Sequence, residues 1–265
     1  MSWEFDPKAP PESRLPQIEV EGLKMAFGSR VLMDGLTFTI RRGDIFIIMG
    51  GSGSGKSTLL RCIVGLQRPA AGTIRMEGEN VWDADLDRQA RIQRRFGIMY
   101  QQGALWTSMT LAENVALPLQ TYTDLTPEAI AELAEYKLAL VGLAGFGGYS
   151  PAEISGGMRK RAAIARAMAL DPEVLFLDEP GAGLDPITSR LLDDLILALR
   201  QALGMTVVIV THELASIFAV GDNSVFLDAE TRTMIAHGNP SWLVEHTDQP
   251  KLRAFLTRGA KETAP

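Results

Sequence analysis

The chain of 265 residues has the length of one α/β domain with small lobes, and its 46% apolar content excludes disorder as the default state. A formal net charge of −6 argues against a general nucleic-acid-binding protein, because such proteins neutralise phosphates with an excess of Lys and Arg. The single cysteine, Cys62, excludes an intramolecular disulfide, and its place in an apolar helical stretch indicates a packing residue.

The N-terminal part predicts a tail followed by short strands. Residues 1–16 hold four prolines and several charges and lack the apolar segment of a signal peptide, so we predict a flexible tail. Strands are predicted from Ile18 onward, at residues 31–40 and at residues 73–76. The longest apolar runs are strand-sized, so no segment approaches the ~20 residues that a membrane-spanning helix needs.

The next segment predicts a phosphate-binding loop. An apolar strand at residues 44–49 leads into a glycine-rich turn, and a helix with an apolar face follows. The turn matches the pattern G-x-x-x-x-G-K-[ST] through Gly50, Gly51, Ser52, Gly53, Ser54, Gly55, Lys56 and Ser57, followed by Thr58. Backbone N–H groups of such a loop converge on phosphate oxygens at the positive end of the helix dipole. Lys56 is expected to reach the β- and γ-phosphates of a nucleotide, and the Ser57 hydroxyl to bind Mg²⁺.

The middle of the chain predicts an inserted helical lobe. Residues 126–128, Thr-Pro-Glu, have the composition of a helix start, and apolar residues follow at roughly helical spacing. A second helix is headed by Ser155, Gly156 and Gly157, which offer donors to an anion; a plain N-cap serine with a glycine turn is the alternative. The basic run at residues 159–161 is interpreted as a solvated face of this helix.

Two carboxylates follow a predicted buried strand at residues 173–177. At a strand end beside the phosphate loop, Asp178 is expected to hold the metal and Glu179 to act as general base; a solvated strand end is the alternative. A further helix opens at Asp185, and a third buried strand is predicted at residues 205–210. Strands that alternate with helices predict an α/β fold with a largely parallel sheet.

Taken in order, these motifs resemble those of the ABC (ATP-binding cassette) ATPase family over most of the chain. The family signature is usually L-S-G-G-Q, and here Ile154 and Met158 stand in place of its Leu and Gln. The resemblance implies a P-loop NTPase (RecA-like) core with a mostly parallel sheet, an antiparallel β subdomain and an inserted α-helical subdomain at about residues 103–168. The ATPase domain would span residues 17–240, followed by a C-terminal extension at residues 241–265 that helps dimer contacts.

The resemblance also implies roles for residues outside the phosphate loop. Phe27, where the family often has Tyr, would stack on adenine, with a core aromatic as the alternative. Gln101 would approach Mg²⁺ and the attacking water, with Gln102 as the competing assignment. Asp185 would belong to the family's D-loop and can also cap its own helix, and His212 would contact the γ-phosphate as the switch histidine.

The resemblance further implies a homodimer with two ATP molecules at its interface. In the family, two copies pair head to tail, so that Ser155 and Gly157 of one subunit complete the ATP site held by Lys56 of the other. The γ-phosphoryl group would then meet Lys56 and Mg²⁺ on one side and the helix N-terminus of the second copy on the other.

A narrower resemblance is to the Mla/Mce lipid-transport ATPases of Gram-negative bacteria. It rests on residues 103–106, 113–119, 154–167, 182–188, 235–238 and 250–256. It implies integral-membrane permease subunits, a Mce-type substrate-binding protein and a phospholipid or related lipid as cargo. The chain would then lie peripherally on the cytoplasmic face of the bacterial inner membrane. A polar-solute importer subunit and a non-transport ABC ATPase are the alternatives.

Overall fold

The computed structural model describes residues 14–83 and 85–257. Residues 1–13 of the predicted tail and residues 258–265 of the predicted C-terminal extension lie outside these ranges. Within them, no helix combines the length and the apolar character that are required to cross a membrane.

Strands and helices alternate along most of these residues. In chain order the strands are β1 (Pro16–Phe27), β2 (Arg30–Arg41), β3 (Ile45–Gly50), β4 (Ala71–Met76), β5 (Glu79–Asn80), β6 (Phe96–Met99), β7 (Val174–Asp178), β8 (Thr206–Val210), β9 (Asn223–Asp228) and β10 (Thr233–Gly238). The helices are α1 (Lys56–Ile63), α2 (Leu86–Arg94), α3 (Leu111–Tyr122), α4 (Pro127–Leu140), α5 (Gly156–Ala167), α6 (Pro186–Leu203), α7 (Leu214–Val220), α8 (Pro240–His246) and α9 (Pro250–Leu256).

The chain divides into two compact units. The phosphate-loop unit comprises residues 14–92, without residue 84, and residues 208–257. The signature unit comprises residues 93–207. Both boundaries fall inside regular elements, since one lies within α2 and the other within β8.

The first sheet of the phosphate-loop unit is antiparallel, with the strand order β2-β1-β4-β5. In β1, Val20 lies opposite Phe38 on one side and Ile74 on the other, and all three side chains are buried. The neighbouring Glu21 is exposed, so side chains alternate between a buried and a solvated face. This sheet confirms the predicted antiparallel β subdomain and its strands.

The second sheet of this unit has the order β10-β9-β3-β8. Strand β3 runs parallel to β9, with Gly50 opposite Leu227, and β9 runs antiparallel to β10. All six residues of β3 are buried, as expected for a parallel strand that is covered on both faces. Strand β3 is predicted from the sequence, whereas β9 and β10 are not.

The signature unit combines a parallel strand pair with well-capped helices. Strands β6 and β7 are parallel, and the strand order in this unit is β8-β7-β6. Helices α3 to α6 each begin after a residue whose side chain accepts a hydrogen bond from the first turn, namely Thr110, Thr126, Ser155 and Asp185. These caps confirm the helix starts predicted at residues 126–128, at Ser155 and at Asp185.

One sequence interpretation is wrong: the basic run at residues 159–161 is not a solvated helix face along its whole length. Lys160 is only 8% exposed, whereas Arg159 is exposed and Arg161 is half-buried. The Lys160 ammonium donates hydrogen bonds to the backbone carbonyls of Gln101 and Glu179, which compensate its loss of water.

Cys62 lies in α1 and is fully buried. Burial raises the pKa of its thiol to about 11, so the neutral thiol packs as a small apolar side chain. The predicted packing role of Cys62 is confirmed.

A buried ion pair at the start of the described chain makes stability depend on pH. Arg14 Nη1 lies 2.8 Å from Asp44 Oδ1 and 3.4 Å from Asp222 Oδ2. Asp44 is fully buried, and this burial raises the pKa of its carboxyl from 3.8 to about 6, against the lowering effect of Arg14. The folded chain therefore holds a proton at Asp44 over a pH range in which the unfolded chain has lost it.

We expect the free energy of unfolding to fall by about 2 kcal/mol as pH rises from 4 to 7, relative to the Asp44→Asn variant. The sign follows from the raised pKa, because the stabilisation is complete below the unfolded pKa and is lost as pH rises through the folded pKa. Urea unfolding at a series of pH values measures this difference. The exposed Asp248→Asn substitution is the control, and parallel curves for the parent chain and Asp44→Asn would contradict the prediction.

Candidate functional site

The phosphate loop lies between β3 and α1. Strand β3 ends at Gly50, whose φ is 152°, and Gly55 takes the left-handed conformation, with φ 84°, as the N-cap of α1. Gly55 offers no side chain to the first turn of α1, which also contains no acidic residue. The backbone N–H groups of that turn and the positive end of the helix dipole are thus suited to an anion.

Lys56 is the first residue of α1, and its side chain folds back over the loop. Its Nζ donates hydrogen bonds to the carbonyl oxygens of Gly50, at 2.9 Å, and Gly51, at 3.0 Å. The hydroxyl-bearing Ser57 next to it is exposed, whereas Ser54, also within the loop, is fully buried. The loop therefore presents an ammonium group and a hydroxyl group together, at a helix N-terminus.

Gly50 has no room for a side chain. A Cβ added there would lie 2.5 Å from the Leu227 carbonyl oxygen and 2.7 Å from Ser54 Oγ. We expect Gly50→Ala to lower the free energy of unfolding by about 1–3 kcal/mol, because backbone and a buried hydroxyl must move. Thermal and urea unfolding measure the effect. Gly51→Ala is the matched control for stability, since no heavy atom lies within 4 Å of its added Cβ; equal losses in the two variants would contradict the steric argument.

A cavity of about 510 Å³ opens beside the loop. It is lined by Phe27, Arg30, Leu32 and residues 53–58. Phe27 is 55% exposed, so the alternative that it is a core aromatic is wrong. The lining thus combines an aromatic ring, which fits a nucleotide base, with a helix N-terminus and a lysine, which fit its phosphates.

His212 follows β8 within the phosphate-loop unit. The preceding Thr211 is buried, and its N–H donates a hydrogen bond to the Ile48 carbonyl oxygen in β3. This bond ties the residue before His212 to the strand that leads into the phosphate loop. His212 itself is exposed.

In the signature unit, the acid pair lies at the end of β7. Asp178 is 9% exposed and Glu179 is 8% exposed, so the alternative of a solvated strand end is wrong. Glu179 has a φ of 49°, a conformation that residues with a side chain seldom adopt. Its carbonyl oxygen accepts hydrogen bonds from Lys160 Nζ, at 3.3 Å, and from the Ala182 N–H, at 3.2 Å.

Gln101 follows β6 in a tight turn. The Gly103 N–H donates to the Tyr100 carbonyl at 2.7 Å, and the Lys160 ammonium donates to the Gln101 carbonyl. The Gln101 side chain is exposed.

The buried contact of Lys160 with this turn is not predicted from the sequence, because a lysine within a basic run carries no sign of burial.

The N-termini of α5 and α6 lie close together in the signature unit. Ser155 is exposed, and its Oγ accepts a hydrogen bond from the Met158 N–H at 3.2 Å. A Cβ added at Gly157 would lie 2.5 Å from Thr188 Cγ2 in α6, so this approach requires a glycine. Asp185 caps α6, and hydrogen bonds from the Thr188 side chain and backbone lower the pKa of its carboxyl. The capping role predicted for Asp185 is confirmed.

Each unit, taken by itself, carries an oxygen donor of the kind that a hard cation accepts. Ser57 carries a hydroxyl beside the phosphate loop, and Asp178 carries a carboxylate at the end of β7. Such oxygen donors suit Mg²⁺, which usually completes its coordination with phosphate oxygens and water. Among the residues that the structure describes, no cluster of three or more His, Cys, Asp or Glu side chains forms a metal site by itself.

The fold and the phosphate loop define a P-loop nucleotide-binding protein of the α/β class. The family model described as ABC transporter matches residues 33–182 of the chain, which is more than half of it. The chain belongs to the ABC transporter family, as one of its ATP-binding cassettes. The predicted family and fold class are both confirmed.

Individual relatives agree with this assignment. The probable ribonucleotide transport ATP-binding protein mkl of Mycobacterium tuberculosis (strain ATCC 25618 / H37Rv) is 39% identical over 239 residues, which cover 90% of this chain. The match spans 66% of that relative, just under two thirds of its length. The intermembrane phospholipid transport system ATP-binding protein MlaF of Escherichia coli K12 is 38% identical, and the match covers 90% of this chain and 88% of MlaF.

A solved structure also resembles the chain. The dimeric ATP-binding cassette MJ0796, bound to ADP and Pi in a post-hydrolysis state, superposes with a TM-score of 0.75 at 29% identity. The superposition covers 84% of this chain and 98% of MJ0796.

Proposed function

We propose that this chain hydrolyses ATP as the nucleotide-binding subunit of a membrane transporter that moves phospholipid. The observation that carries the ATPase part is the phosphate loop, with Lys56 at the helix N-terminus and the exposed Phe27 lining the same cavity. The phospholipid part depends on the likeness to MlaF.

Each residue of the proposed ATPase acts through its own chemistry. Phe27 stacks on adenine, and the N–H groups of residues 50–58 and the Lys56 ammonium hold the phosphates. Glu179 accepts a proton from the attacking water as general base. His212 donates a hydrogen bond to the γ-phosphate.

Mg²⁺ is the expected companion of ATP. Ser57, Asp178 and Gln101 would hold it, Asp178 through water, because hydroxyl, carboxylate and amide oxygens are the ligands that this hard cation accepts. When bound, Mg²⁺ neutralises charge on the β- and γ-phosphates. The residues of the chain then have to exclude bulk water and orient the nucleophile.

The second copy of the chain completes the site in this proposal. Ser155, Gly156 and Gly157 at the N-terminus of α5, with Asp185 of the D-loop, face the nucleotide bound by the other copy. Two features support this arrangement: Ser155 is exposed at a helix N-terminus, and MJ0796 is dimeric with ADP and Pi bound. ATP then joins two copies, and hydrolysis separates them.

The likeness to MlaF supports phospholipid as the cargo. This chain is 38% identical to MlaF, and the match covers 90% of this chain and 88% of MlaF. The segments at residues 103–106, 113–119 and 235–238 also resemble lipid-transport ATPases. Permease subunits, a Mce-type substrate-binding protein and a place on the cytoplasmic face of the inner membrane belong to this proposal.

The test is purification of the complex from detergent, followed by mass spectrometry of its proteins and its bound small molecules. We expect membrane subunits and phospholipid, together with ATP hydrolysis. A bound polar solute without lipid would contradict the cargo and leave the ATPase intact. Absence of ATP hydrolysis in a complete complex would overturn the proposal as a whole.

A further inference from the structure

Helix α5 carries a buried cation that has no role in the function proposed above. Lys160 is 8% exposed, although lysine is seldom buried unless acceptors surround its ammonium. Two of its acceptors are backbone carbonyls, those of Gln101 and Glu179, which lie 59 residues before it and 19 residues after it in the chain. A single ammonium group thus joins two loops. One carries Gln101, which is proposed to bind Mg²⁺, and the other carries Glu179, the proposed general base.

The Glu179 side of this contact is a strained turn. Glu179 has a φ of 49°, and its carbonyl begins a turn that is closed by the Ala182 N–H at 3.2 Å. A left-handed residue with a side chain persists only where its surroundings fix it. The Lys160 ammonium and the Ala182 N–H hold the same carbonyl oxygen and so fix the direction in which the Glu179 backbone leaves β7.

Helix α5 also holds the loop that contains Gln101 at a second point. Further along α5, Arg166 donates hydrogen bonds to the carbonyls of Gly103, at 3.0 Å, and Ala104, at 2.7 Å. Ala104 also has a left-handed backbone, with φ 49°. Helix α5 therefore holds the loop after β6 at two points, and Lys160 also reaches the Glu179 carbonyl.

We propose that Lys160 is a positioning residue. It fixes the positions of Glu179 and Gln101 relative to each other for ATP hydrolysis. This inference rests on the proposed function, because it requires that Glu179 is the general base. Lys160 holds both residues through their backbone carbonyl oxygens, so its loss would displace the backbone from which both side chains project. It therefore affects the rate of the chemical step and has little effect on nucleotide affinity.

The test is Lys160→Met in the full-length chain. The methionine keeps the length and packing of the side chain and removes the hydrogen bonds. We expect kcat to fall by roughly ten- to a hundredfold, the cost of a slightly misplaced catalytic group, with the Kd for a fluorescent MgATP analogue within about twofold of the parent. A purely structural role for Lys160 would lower the thermal midpoint and weaken nucleotide binding without this selective loss of kcat.

The matched control is Arg161→Met on the same helix. Arg161 also donates to two carbonyls, those of Val141 and Gly142 at 3.2 Å, which belong to neither loop. We expect its kcat to stay within about twofold of the parent, because no catalytic group is displaced. If both variants lose kcat equally, or if Lys160→Met keeps the parent kcat, the positioning role is overturned.

Two further measurements keep the outcome unambiguous. If Lys160→Met does not fold, Lys160→Gln provides the test, because its shorter amide cannot span both carbonyls; a parent-like kcat in that variant overturns the inference. The parent chain and Glu179→Gln are measured alongside. A normal loss of hydrolysis in Glu179→Gln, with an unaffected Lys160 variant, rejects the role of Lys160 while the ATPase function stands.

Discussion

Glu179→Gln is expected to lower the kcat of ATP hydrolysis by roughly 10²–10⁴-fold, the usual contribution of a general base, while MgATP binding is retained. Glutamine has nearly the same shape as glutamate and cannot accept a proton from water at neutral pH. Because position 179 is 8% exposed, few water molecules are available there to replace the lost base. The variant should therefore trap the ATP-bound state.

The measurement combines steady-state hydrolysis with size-exclusion chromatography in the presence of MgATP. If ATP joins two copies, the Glu179→Gln variant should elute as a dimer with MgATP and as a monomer without it. The exposed Glu245→Gln substitution is the control for the chemical change. Turnover close to that of the parent chain would remove Glu179 from the role of base.

The chemistry of the phosphate loop was predictable from sequence because it is local. Residues 50–58 are contiguous, and their glycines, lysine and serine define both a backbone shape and a ligand. The helix starts at Thr126 and Asp185 were predictable for the same reason, since a cap bonds to the N–H groups of the next turn. Such features depend on a few neighbouring residues and not on the rest of the fold.

Features that depend on distant residues were missed. The partners of Lys160 lie 59 and 19 residues away, and Arg14 meets Asp222 across 208 residues, so neither contact has a local signature. Strand β10 is mostly half-buried and shows no clear alternation of apolar and polar residues, which leaves it without a strand pattern. The left-handed backbone of Glu179 was also unpredictable, because non-glycine residues rarely adopt it.

Lys56→Ala is expected to weaken MgATP binding by roughly 10- to 100-fold, because hydrogen bonds to charged groups contribute about 1.5–3 kcal/mol. The Lys56 ammonium donates hydrogen bonds to the carbonyls of Gly50 and Gly51. When ATP binds, it would exchange these partners for phosphate oxygens. Alanine supplies neither charge nor donors, so both the affinity and the hydrolysis rate should fall.

Equilibrium titration with a fluorescent MgATP analogue gives the affinity, and thermal unfolding without nucleotide reports any damage to the loop itself. Lys24→Ala is the control, because Lys24 is a partly exposed lysine of the same unit that pairs with Asp34 at 2.7 Å. Affinity equal to that of the parent would reject the phosphate-loop assignment. Because Glu179→Gln should bind ATP without hydrolysing it and Lys56→Ala should scarcely bind it, the two variants together separate nucleotide capture from the chemical step.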